Sequence, residues 1–234
     1  MKKTLVCLSA MACLGASSAF AADDSALTAN VTLASKYKYR GQDQSDSEKA
    51  FLPAIQGGFD YTAGGFYVGN WNSSVGFGGG TEVDLYGGYK GDLGNGLGYD
   101  VGVLQYYYPA LTEANTTELY GAVTFGPLLG KLSYTASKKY FGIEESRGTM
   151  YFDVSLNQEI ATGLTFNAHV GATRFTSDAK NAGNAEDYID YKVGVTYDLG
   201  SGFSLAGAVV GANKKNFWGD INKTRAIVSI TKAM

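Results

Sequence analysis

From Leu27 onward the chain alternates between apolar and polar residues. Leu27, Ala29, Val31, Leu33, Tyr37 and Tyr39 fall on one face, and Thr28, Asn30, Thr32, Lys36, Lys38 and Arg40 on the other. A period of two reads as a β-strand with one apolar and one polar face. Over 26–40 it is longer than the usual globular strand of about 5–6 residues. The pattern recurs over 51–62, 65–75, 81–91, 97–108, 116–125, 129–138, 149–159, 164–175, 187–199, 203–212 and 223–234, which makes twelve predicted strands. In 81–91 Val83, Leu85 and Tyr89 oppose Glu82, Asp84 and Lys90. In 187–199 Ile189, Tyr191, Val193, Val195 and Tyr197 oppose Asp190, Lys192, Thr196 and Asp198.

The links alternate in length. After the even-numbered strands they are short: 63–64, 92–96, 126–128, 160–163 and 200–202. After most odd-numbered strands they are longer and more polar: 41–50, 139–148, 176–186 and 213–222, with 76–80 a short exception. An even strand number, short turns at one end and long loops at the other describe a transmembrane β-barrel of the outer-membrane type. Only a closed sheet leaves no unpaired backbone edge in lipid. A secreted β-sandwich also alternates, and the aromatics separate the two. Phe59, Tyr61, Tyr67, Tyr89, Tyr99, Phe125, Phe166, Tyr197 and Phe203 all stand within a few residues of a short turn. Aligned aromatics of that kind form the girdle of a membrane interface. A sandwich would bury them at mid-strand.

The first residues have a different logic. Lys2 and Lys3 precede an apolar run from Leu5 to Gly15, and Ala19-Phe20-Ala21 is a small-x-small site. Residues 1–21 are thus expected to be a cleaved secretory signal peptide, and 22–234 the barrel, located in the cell outer membrane. Both cysteines, Cys7 and Cys13, would leave with the signal, so the barrel builds no disulfide. The 234 residues hold 19 basic and 22 acidic side chains; without Lys2 and Lys3 the balance is 17 to 22. A net-negative chain lacks the basic face that nucleic acid requires.

Several segments resemble the TorF family of bacterial porins. They are Arg40-Gly41 with Gln44-Ser45, Pro53 to Tyr61, Gly65-Phe66-Tyr67 with Trp71, Glu82-Val83-Asp84-Leu85-Tyr86, Gly98 to Gly102, Tyr106-Tyr107-Tyr108-Pro109, and Glu118-Leu119-Tyr120-Gly121. The resemblance is densest over 37–130. It implies an outer-membrane channel without catalytic residues.

The chemistry sits on the polar faces. Charge pointing into lipid costs about 2–4 kcal/mol per Lys or Arg at the midplane, so these side chains are expected to face a lumen. Lys36, Lys38, Arg40 and Arg225 form a basic group toward the loop end, and Glu82, Asp84 and Glu118 an acidic group at the same height. These seven are the expected pore-lining residues, with opposite charges facing across a constriction. Such a transverse field favours small polar or zwitterionic solutes. His169, the one histidine, faces inward by alternation with Thr165, Asn167 and Thr173, and reads as a structural lumen histidine rather than the base of a hydrolase. The Gly-rich stretches 76–80 and 94–98 open no helix, as a phosphate loop would require. No catalytic, cofactor-binding or metal-binding residue is therefore expected. The expected partners are lipid, lipopolysaccharide and small polar solutes. The alternative is a closed barrel that binds or adheres through its outer loops.

Overall fold

In the computed structural model, which describes residues 26–45, 47–77 and 80–234, the alternating segments close on themselves. The expected signal peptide lies outside the described residues. The strands are β1 (Ala26–Ala34), β2 (Lys38–Tyr39), β3 (Gln42–Asp43), β4 (Ala54–Ala63), β5 (Phe66–Ser74), β6 (Thr81–Asp92) and β7 (Leu97–Tyr107). They continue with β8 (Thr116–Phe125), β9 (Leu128–Thr135), β10 (Met150–Ala161), β11 (Leu164–Arg174), β12 (Tyr188–Gly200), β13 (Phe203–Ala212) and β14 (Arg225–Ala233). Twelve of them form a closed antiparallel barrel, each paired with its chain neighbours, and β1 closes it against β14. The remaining two, β2 and β3, are a separate small hairpin.

Parity decides which way each side chain points. Leu33, Leu85, Val154 and Val193 are about half exposed on the outer surface. Glu82, Asp84, Glu118 and Asp190 on the opposite parity are almost fully buried inside. The outer surface is thus apolar and the interior polar, the reverse of a soluble protein. Phe59, Tyr61, Phe66, Tyr89, Phe125, Tyr197 and Phe203 form an outward ring at the short-turn end. Tyr107, Tyr134, Phe152 and Tyr191 form a second toward the loops. Tyr191 and Tyr197 are six residues apart on one face of β12, about 20 Å along a strand, enough for the apolar band of a bilayer once tilted.

Two expectations are corrected. Tyr67 belongs to the lumen: its hydroxyl donates to Asp100 at 2.5 Å, while its neighbours Phe66 and Val68 face outward. More importantly, 26–40 is not one wall strand. β1 ends at Ala34 and the chain turns into the barrel, so Tyr37 and Tyr39 do not face outward. The break is at Ser35, a polar residue at an outward-parity position. It stays tied to β14, its amide donating to Val228 O and its hydroxyl accepting from Val228 N.

Lumen glycines let the wall pack inward. Tyr120 lies directly opposite Gly102, and Tyr67 opposite Gly88. A Cβ at either glycine would collide with the facing tyrosine ring. The bare backbone gives each ring a seat, a cross-strand pairing that also pins register.

Candidate functional site

The inward hairpin β2–β3 turns at Arg40-Gly41, both with positive φ, 46° and 74°. That is the two-residue geometry of a tight hairpin, which glycine accepts freely and a side-chain-bearing residue adopts at a cost of about 1–2 kcal/mol. Gly41 is also required by space: a Cβ there would meet Asp190 Cβ on β12 and the carbonyl of Gly211 on β13. The turn lies against that wall, and Arg40 reaches across the lumen to β8. Its Nη1 and Nη2 donate to Glu118 Oε1 and Oε2 at 2.8 and 2.7 Å, a two-pronged ion pair almost wholly buried. The guanidinium also lies 4.0 Å from the centre of the Tyr151 ring.

The base of the hairpin is held as firmly. Lys36 and Lys38 flank Asp43 at 3.1 and 3.7 Å. Lys38 donates to the carbonyls of Gly41 and Ile221, and Gln42 bonds Asn222, so the loop between β13 and β14 is part of the anchor. Arg225 donates to Ser47 O. Burial, with the nearby Arg225 and Lys36 charges, lowers the Lys38 pKa to about 8 against the pull of Asp43. Burial likewise raises that of Asp43 above the ordinary carboxylate value, opposed by the two lysines.

Aromatic rings cover what the hairpin leaves. Tyr39 bonds the Tyr106 hydroxyl, and Phe141, from the loop between β9 and β10, packs on both rings at 5.8 and 4.8 Å between centroids. Tyr140 and Phe175 continue the layer to Trp218. Loop 139–148 is therefore folded in part over the lumen.

The charged groups divide between two sides of the barrel. On β4 to β8 the charges are mainly acidic, and each of four carboxylates has a named donor. Tyr86 bonds Asp60, Tyr67 bonds Asp100, Tyr37 and Tyr108 bond Glu82, and Tyr106 joins Arg40 on Glu118. Glu82 Oε2 and Asp84 Oδ1 are buried with no hydrogen-bond partner. On β9 to β12 stand Lys131, Lys192 and His169. His169 bonds two carboxylates, Nδ1 to Asp153 at 2.8 Å and Nε2 to Asp190 at 2.6 Å.

Residues 18–233 match a family model described as a bacterial protein of unknown function, Gcw_chp. The chain belongs to the Gcw_chp family. The family match spans the whole described barrel. Among solved structures, the chain is similar to one titled "KdgM porin in complex with disordered oligogalacturonate", with a TM-score of 0.55 at 11% identity, covering 88% of this chain and 97% of that one. A NanC porin structure is similar at a TM-score of 0.56 and 12% identity, covering 89% and 98%. At such identity the likeness is one of fold. No curated protein sequence matches the chain.

Of the seven residues expected to line a pore, Lys36, Lys38 and Arg40 lie on the inward segment rather than on the barrel wall, and they border a cavity. Glu82, Asp84 and Glu118 point inward from β6 and β8 but are covered by the hairpin and its tyrosines. Arg225 points inward from β14 and holds the segment by its Ser47 contact. Arg40 and Glu118 meet in a direct pair instead of facing across open water. The sequence reading missed the tyrosine donors and the His169 clamp. One signal was available: Arg40-Gly41 is a turn dipeptide within the alternation, preceded by the misplaced Ser35.

Proposed function

We propose that this protein is an outer-membrane channel for passive diffusion of small polar solutes, zwitterions included, narrowed by the segment that enters the lumen. One observation carries the reading: an apolar, aromatic-ringed exterior encloses a barrel whose buried side chains include many charged groups, among them Lys36, Lys38, Arg40, Glu82, Asp84, Glu118, Asp153 and Asp190. A barrel meant only to be closed could be filled more cheaply with apolar side chains, because buried ion pairs seldom outcompete a packed core. The porin fold of the KdgM and NanC neighbours and the TorF-like motifs support the same reading. Lipid and lipopolysaccharide would contact the outer wall.

Purified protein in a planar bilayer should show unitary currents in potassium chloride. No current in any salt would sink the channel and leave a surface-binding barrel. Topology is tested separately on whole cells with an impermeant thiol reagent. Lys215→Cys, in the exposed turn after β13, should be labelled and Ser201→Cys, in a short turn, should not. The opposite result would invert the barrel.

A further inference from the structure

Two cavities lie beside the hairpin. A cavity of about 480 Å³, open solvent included, is bordered by Lys36, Lys38, Arg40, Lys192, His169 and Asp190 among others. A second, of about 720 Å³ on the same measure, is bordered by Arg40, Lys131, Lys192, Tyr151 and Asp153 with neighbouring polar groups. Arg40 and Lys192 border both, so the two spaces meet at these cations. None of Asp60, Glu82, Asp84, Asp100 and Glu118 borders either cavity. Glu82, Asp84 and Glu118 are buried under the hairpin and the tyrosines, and the two cavities run along β9 to β12 with parts of β1, β4, β7, β13 and β14.

We infer that the path past the hairpin selects anions, so that the favoured solutes are small molecules bearing a carboxylate or a comparable oxyanion. Five cationic side chains border the two cavities, Lys36 and Lys38 sharing the single carboxylate of Asp43 and Arg40 paired with Glu118, against the carboxylates of Asp153 and Asp190. Both carboxylates are held at hydrogen-bond distance from the His169 ring, at 2.8 and 2.6 Å. In a narrow path with low-dielectric walls the sign of the nearest charges sets which ion enters. The covered carboxylates lie farther away, and Arg40 neutralises the nearest of them, Glu118. The inference rests on the channel reading and narrows its solute class.

Reversal potentials across a potassium chloride gradient test it. Chloride should permeate better than potassium in the unmodified protein. The double variant Lys131→Glu with Lys192→Glu should lower the chloride-to-potassium ratio several-fold, whereas Asp60→Asn on the covered side should leave it unchanged. Potassium gluconate added to one side should interrupt the chloride current, and glucose at the same concentration should not. Should the double glutamate variant fail to fold, as judged by the heat-dependent shift of barrel mobility on a gel, Lys131→Gln with Lys192→Gln should still lower the ratio. A cation-selective or unselective channel, an equal response to Asp60→Asn, or equal block by glucose would overturn the inference while leaving the channel standing. The absence of any current would instead refute the channel itself.

Discussion

Arg40→Ala should raise unitary conductance several-fold while leaving the barrel folded. The Arg40–Glu118 pair is the one direct ion pair between the hairpin tip and the opposite wall, and it is almost wholly buried. Removing one member of a buried pair costs about 3–5 kcal/mol, because the other charge is left desolvated and alone. That exceeds a hundredfold in the ratio of docked to undocked hairpin, taking about 1.4 kcal/mol per factor of ten. Two further terms already work against docking. Arg40 holds a left-handed backbone conformation, and Glu82 Oε2 and Asp84 Oδ1 are buried without donors, each such atom costing about 1–3 kcal/mol. Undocking would hydrate both carboxylates and relax the turn. The twelve-stranded ladder does not include β2 or β3, so the barrel's resistance to denaturant should stay near that of the unmodified protein. Glu118→Gln should open the channel in the same direction, and the double variant should do little more than either single one, since both remove the same contact. Unchanged conductance in Arg40→Ala, with the barrel intact, would mean that the hairpin is held by its base alone.

Val193→Arg should cost about 2–4 kcal/mol of folding stability in lipid vesicles, and Thr196→Arg, three residues on, much less. Val193 is half exposed on the outer face of β12, between the rings marked by Tyr191 toward the loops and Tyr197 toward the short turns. An arginine there would meet hydrocarbon. Thr196 has the opposite parity, and its hydroxyl donates to Asn167 Oδ1 inside the barrel at 2.8 Å. An arginine there loses one hydrogen bond but reaches water. Urea titration of vesicle-inserted protein measures both. Equal costs would place the strand in another register, because a slip of one residue exchanges the two faces.

The sequence by itself determined the wall. In β6, β10 and β12 the alternation of Leu85, Val154 and Val193 with Asp84, Asp153 and Lys192 sets which side meets apolar surroundings. That is a local property of a pleated strand, readable from every second residue. Loop lengths then set the antiparallel order, since short turns can join only neighbours.

The interior was decided only by tertiary structure. Residues 36–40 alternate as well as any wall strand does, because the inward hairpin also has two unlike faces. Tyr37 and Tyr39 lie toward the tyrosines and carboxylates of β6 to β8, whereas Lys38 is directed toward Asp43 and Ile221 O. Period two records that the two sides differ; it does not record what each side meets. Tyr67 went astray for a related reason: tyrosine suits both a membrane interface and a polar lumen, and only its register opposite Gly88 and its bond to Asp100 decide between them. The ion pair that pins the hairpin across the lumen joins residues 40 and 118, and the histidine clamp joins 153, 169 and 190. Contacts at such separations depend on how the closed sheet brings β8 opposite the hairpin and sets β10, β11 and β12 side by side, a relation no local pattern contains.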